Sequence, residues 1–127
     1  MIASFLFVAD SPKGGRGVFT KKAIPANTVI EVSPVLVFKA SERKHLEQTL
    51  LYSYVFEWGD TLKQRALGMG YISMYNHSYS SNLEYEMDYE LEQMTIKTVK
   101  DIKKGEELFI NYNADSENKT PVWFDAK

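Results

Sequence analysis

Three short segments hold the residue types best suited to chemistry. The first is Gly14-Gly15-Arg16-Gly17. Glycine lets a backbone approach a ligand closely and take positive φ. The second is Tyr75-Asn76-His77-Ser78, with Asn82 close behind. Its amide and imidazole groups can donate and accept hydrogen bonds to a bound molecule. The third is Gly105-Glu106-Glu107-Leu108-Phe109-Ile110-Asn111-Tyr112, a charged turn running into a strand that ends on a phenol. Each has a plain structural alternative: a glycine hairpin turn, a buried asparagine beside a capping histidine, and an ordinary strand end.

Several chemistries are excluded at once. The chain has no cysteine, so disulfides, thiolate zinc sites, cysteine nucleophiles and iron–sulfur clusters are out. It has two histidines, His45 and His77, so no metal site is expected. His77 beside Ser78 does not make a hydrolase. Sequence neighbours rarely achieve nucleophile–base geometry, and no nucleophile elbow surrounds Ser78. Glycine near the N-terminus fits neither the dinucleotide nor the P-loop pattern, because no long helix follows it.

The elements that must position these segments are mostly strands. At 127 residues, 44% apolar and 25% charged, the chain reads as one folded domain spanning residues 1–127. Phe5–Ala9 is a buried strand ended by Asp10-Ser11-Pro12. Val29–Phe38 is rich in β-branched residues, and Pro34 should divide it into two strands or mark an edge. With Ser41 as its N-cap, a short helix is expected from Glu42 to Leu51, with Leu46 and Leu50 on one face. Tyr52–Trp58 is β-prone, and Gln64–Tyr75 should begin as a second short helix. Leu83–Leu91 alternates strictly, with Glu84, Glu86, Asp88 and Glu90 on one face. Met94–Val99 is its hairpin partner, and Leu108–Tyr112 is a last strand. The pattern is mainly β, with one or two short helices, and leaves sandwich, barrel or irregular multi-sheet folds open.

The net charge of −2 lacks the basic field of a general nucleic-acid binder, so no direct nucleic-acid contact is expected. No apolar run is long enough for a membrane span, and the N-terminus lacks a signal peptide's basic start. The expected location is intracellular, cytoplasmic by default, with a nuclear site open for a eukaryotic or viral source.

Order and spacing of the three segments give more than any one alone. Gly15-Arg16-Gly17-Val18-Phe19, Asn76-His77-Ser78 with Asn82, and Gly105–Tyr112 together resemble the SET domain of protein lysine methyltransferases. The resemblance covers about residues 4 to 113, and the small, cysteine-free chain is similar to the minimal SET proteins of viruses and bacteria. Ser81 stands where the family commonly has proline, and the flanking zinc–cysteine modules are missing.

The resemblance implies a β-clip-like fold of several short-stranded small sheets with a C-terminal pseudoknot. It implies methyl transfer from S-adenosylmethionine to the side-chain amine of a lysine in a protein, histones included, releasing S-adenosylhomocysteine. Tyr112 would be catalytic. Gly15, Arg16, Gly17, Asn76 and His77 would hold the cofactor, with Trp123 in a C-terminal lid of about residues 114–127. Tyr54, Phe56, Tyr71 and Tyr75 would line the lysine channel. A homodimer would be one way to cover the cofactor cleft. The acidic Glu84–Glu92 face would attract a basic substrate segment. The alternative is a SET-like module that binds a lysine-containing peptide without turnover.

Overall fold

Hairpins organise most of the chain. The structure is a computed structural model and describes residues 1–111. Strands β1 (Leu6–Asp10) and β2 (Arg16–Thr20) form the first hairpin, closed by Asp10 opposite Arg16. A long β3 (Val29–Phe38) follows, then a 3-10 turn and the single short helix α1 (Arg43–Leu46). Next come β4 (Val55–Trp58), β5 (Gln64–Gly68) and the two-residue β6 (Asn76–His77). The hairpin of β7 (Leu83–Asp88) and β8 (Gln93–Thr98) precedes β9 (Glu107–Ile110). Two sheets result, one in the order β1-β2-β9-β6 and one in the order β4-β5-β3-β8-β7.

Pro34 does not break β3 in two. The strand is continuous, but its partner changes there: Val29–Pro34 pairs with β8 and Val35–Phe38 with β5. Proline has no N–H to give a ladder, so it sits where the neighbour changes. Its carbonyl still accepts the Met69 N–H at 3.0 Å.

Two expected helices are corrected. Gln64–Gly68 is strand β5, although Gln, Arg, Ala and Leu favour helix. Pairing with β4 on one side and β3 on the other overrides that weak preference and buries Arg65 and Ala66. The helix expected over Glu42–Leu51 shrinks to α1, with 3-10 turns at Ala40–Glu42 and Leu50–Ser53. Ser41 is not its cap. The Glu42 carboxylate instead accepts the Lys39 N–H at 2.7 Å. Leu46 is buried, whereas Leu50 is 76% exposed. The acidic strand is as alternation requires up to Asp88, with Leu83 and Tyr85 inward and Glu86 and Asp88 outward. Tyr89–Glu92 then turn the chain.

The core runs between the sheets through Val18, Ile30, Ile72, Leu83, Met94, Ile96, Leu108 and Ile110, all fully buried. A buried carboxylate sits among them. Glu31 accepts hydrogen bonds from the Ser33 hydroxyl (2.7 Å), the Tyr71 N–H (2.9 Å) and the Tyr75 hydroxyl (2.6 Å). It thereby ties β3 to the turn that leads into β6. Gly70 in that turn has φ of +60°, and a Cβ there would strike the Glu31 carboxylate and lie 2.6 Å from Ser33 Oγ. Gly70→Ala is therefore expected to cost about 2 kcal/mol or more, well beyond an ordinary surface change. Urea denaturation reads this directly, and an unchanged midpoint would contradict the packing around Glu31.

Candidate active site

Strands β2, β6 and β9 bring the three sequence segments together. β9 runs antiparallel to β2, with Val18 opposite Leu108, and parallel to β6, with Asn76 opposite Phe109 and His77 opposite Ile110. A two-residue parallel pairing is weak by itself. Asn82 reinforces it by donating to the Glu107 carbonyl (3.0 Å) and accepting the Phe109 N–H (2.7 Å). The Ser78 N–H adds a bond to the Ile110 carbonyl at 2.9 Å.

The Glu107 carboxylate joins two of the segments to the first hairpin. One oxygen accepts the Ser11 hydroxyl at 2.6 Å, the other the Asn76 side-chain NH2 at 2.8 Å. Gly17 packs against this pair. A Cβ there would run into Glu107 Oε2 and come within 2.9 Å of Asn76 Nδ2. Its glycine is thus required by close approach within β2 rather than by the turn.

The clamp leaves Asn76 with one free function. A carboxylate only accepts, so the amide turns its NH2 towards Glu107 and its Oδ1 away. That oxygen is buried and has no hydrogen-bond partner among the described residues. An unmet buried acceptor costs about 1–3 kcal/mol, a cost that a hydrogen-bond donor placed there would remove. His77 is 3% exposed and meets the Tyr79 ring edge-on at 4.4 Å. Burial, and secondarily the charge of Lys13, push its pKa below the ordinary value. The imidazole is accordingly neutral at neutral pH.

Beside these strands lies a cleft of about 390 Å³, lined chiefly by Arg16, Leu51, Tyr54, Leu67, Met69 and Met74. That is within the range of small-molecule sites, roughly 300–1,000 Å³. Arg16 immediately precedes Gly17, and Met74 stands two positions before Asn76. Cleft and clamp thus meet at β2, which carries both Arg16 and Gly17.

Of the residues expected at the site, Gly15, Arg16, Gly17, Asn76 and His77 fall on the hairpin and the β6 strand, and Tyr54 lines the cleft. Phe56 and Tyr75 do not line this cleft. Phe56 is buried in β4 with its ring edge-on to Tyr85 at 5.3 Å, and Tyr75 is fully buried with its hydroxyl on Glu31. Burial and the Glu31 charge push the Tyr75 phenol well above its usual pKa, so it stays a proton donor. Tyr71 is half-buried against the core. Tyr112 and Trp123 lie outside the described residues. So does the last residue of the segment expected to thread the pseudoknot. Ser11, Met69 and Met74 carry no signal in the sequence. Glu31 does carry one, as a lone acid within an apolar run. Among the described residues no group of side chains could hold a metal ion.

Comparison with known proteins agrees with this geometry. A SET domain profile matches residues 15–113. A histone-lysine N-methyltransferase of Schizosaccharomyces pombe, specific for H3 lysine 37, is 39% identical over 113 residues, spanning 88% of this chain and 76% of its own. A candidate histone methyltransferase of Plasmodium falciparum superposes with a TM-score of 0.67 at 26% identity, over 87% of this chain and 98% of that one. A humanized mutant of Chaetomium thermophilum Polycomb Repressive Complex 2, bound to the inhibitor GSK126, gives 0.72 at 21% identity, over 87% of this chain and 15% of that one. That last likeness speaks for the fold alone.

The lowered His77 pKa makes stability depend on pH. The unfolded chain takes up the proton near pH 6.5, before the folded chain does, so stability is lost as pH falls below about 6.5. The melting temperature should drop between about pH 7.5 and pH 5.5, and His77→Asn should flatten that drop. Identical profiles for the two proteins would contradict the buried, neutral imidazole.

Proposed function

The chain belongs to the SET domain family, and from that membership we propose that it transfers a methyl group from S-adenosylmethionine to a lysine side chain of a histone. Asn76 Oδ1, buried and without a hydrogen-bond partner among the described residues, is the observation that carries the cofactor part of this reading. The relative from Schizosaccharomyces pombe makes histone H3 the first substrate to test.

The bound cofactor supplies an electrophilic methyl group on a sulfonium, so the protein's task is to hold, align and keep out water. Asn76 Oδ1 would accept a hydrogen bond from a cofactor N–H or ammonium, with its direction fixed by Glu107. Arg16 and Gly17 would offer backbone groups from β2. The neutral His77 adds no repulsion next to a cationic ligand. Leu51, Leu67, Met69 and Met74 give the cleft apolar walls. Such walls disfavour an ammonium and so favour the neutral, nucleophilic lysine amine. Tyr54 offers one aromatic wall of the lysine path. Tyr112, one residue past Asn111, is assigned the catalytic hydroxyl by its place in the family motif.

The test combines calorimetry with labelled-methyl transfer to histone H3. Asn76→Ala should weaken cofactor binding about tenfold or more, as expected for a lost hydrogen bond to a charged or buried donor. Tyr112→Phe should cut turnover by about two orders of magnitude while leaving cofactor affinity unchanged. Cofactor and peptide binding with no transfer would instead identify a lysine-binding module. Absence of cofactor binding would overturn the proposal.

A further inference from the structure

Charge is distributed unevenly between the two sheets. The acids Glu84, Glu86, Asp88, Glu90 and Glu92 lie on or beside the β7–β8 hairpin of the five-stranded sheet. Lysines gather at the far end of the four-stranded sheet. Lys21 and Lys22 follow β2, and Lys103 and Lys104 precede β9; all four are exposed. The two segments lie opposite each other. The Gly105 N–H bonds the Thr20 carbonyl at 2.8 Å, and Ile24 and Ile102 bond each other in both directions at 2.9 and 2.8 Å.

Aromatic rings border this cluster. Phe7 and Phe19 are half-buried and stack on each other, with centroids 5.8 Å apart and planes at 26°. They sit on the strand face away from Val18 and Leu108, which fill the core. Lys21 Nζ lies 5.9 Å from the Phe7 centroid, and Lys22 Nζ lies 4.6 Å from that of Phe5. These contacts hold flexible lysines near the rings. Three acids border the cluster: Asp101, Glu106 and Glu107, the last opposite Phe19 in the β2–β9 ladder. The Asp101 and Glu106 carboxylates accept backbone N–H groups, of Ala26 at 2.8 Å and of Lys103 at 2.7 Å, and that of Glu107 is held by Ser11 and Asn76. The Arg43–Glu47 ion pair lies elsewhere, at α1.

We propose that this lysine and phenylalanine face binds single-stranded nucleic acid, with phosphates on Lys21, Lys22, Lys103 and Lys104 and bases against Phe7 and Phe19. Phosphate contacts from lysines supply affinity without sequence preference. Phenylalanine rings next to them favour unstacked bases over a duplex. The overall charge of −2 hides this face, because five of the seventeen acids are gathered on the β7–β8 hairpin of the other sheet. Recognition here is independent of the methyltransferase reading, since it needs neither cofactor nor the Asn76 clamp.

The experiment is fluorescence anisotropy of a labelled oligothymidine with the full chain and no cofactor. Binding is expected in the micromolar range at about 50 mM salt, with a log–log salt slope of about −2 to −3 for three to four phosphates. Replacing the four lysines with alanine should weaken binding at least about tenfold. Phe19→Leu should weaken it about fivefold or more. Both variants should keep the wild-type melting profile, and the lysine variant should keep methyl transfer to an H3 peptide. No anisotropy change, a flat salt dependence, or full binding by the lysine variant would overturn the proposal. So would a preference for duplex that Phe19→Leu leaves untouched, or capture by phosphatidylserine vesicles without oligonucleotide binding.

Discussion

The parallel pairing of β6 with β9 is the constraint on which the site depends. Parallel neighbours need a long connection, and here it runs through the whole β7–β8 hairpin. Asn76 and Glu107 are 31 residues apart in sequence yet share a hydrogen bond. A ladder of two residue pairs cannot offset the loss of chain entropy that this closure entails. Side chains make up the difference. Asn82 occupies a donor and an acceptor of the β9 backbone at once, and Glu107 ties the strand back to Ser11 in the first hairpin. The polar residues of the family motif are thus first a joint between strands.

A second polar joint supports the first. Glu31 belongs to the five-stranded sheet, whereas the turn it holds, through the Tyr71 N–H and the Tyr75 hydroxyl, leads straight into β6 of the other sheet. A buried carboxylate is tolerable only when its oxygens are occupied, and here three donors occupy them. Each joint leaves no room for a Cβ next to it. Gly70 lies against Glu31, and Gly17 lies against Glu107 and Asn76. The glycines are therefore set by the carboxylates they touch.

Sequence order was a good guide wherever one local rule acted alone. Alternation placed the β7–β8 hairpin and its acidic face, and the three motif segments do converge on adjoining strands. It misled where long-range pairing outweighed local preference, as in β5, whose residues favour helix but have strands on both sides. Residue type alone did not separate Phe56 and Tyr75, buried away from the described cleft, from Tyr54, which lines it. An aromatic residue suits a channel wall and a core equally, and only burial distinguishes them. The cleft residues Met69 and Met74 were illegible for a related reason. Nothing in a methionine's type or spacing marks it as facing a cavity.

The choice of asparagine at position 76 follows from the two sides it faces. Towards Glu107 only a donor will serve, because a carboxylate has nothing to give. Towards the ligand side the buried Oδ1 is an acceptor. An aspartate would set two carboxylates against each other, and a leucine would leave Glu107 Oε2 without its 2.8 Å partner. An amide presents a donor and an acceptor from one rigid plane, and fixing the donor fixes the acceptor's direction. The open acceptor weakens the free protein, since a buried oxygen without a partner is destabilising by about 1–3 kcal/mol. A ligand donor placed there would recover that deficit, and the atom that costs stability would then contribute binding. Glu107, the first residue of β9, thereby fixes the direction in which the Asn76 acceptor points.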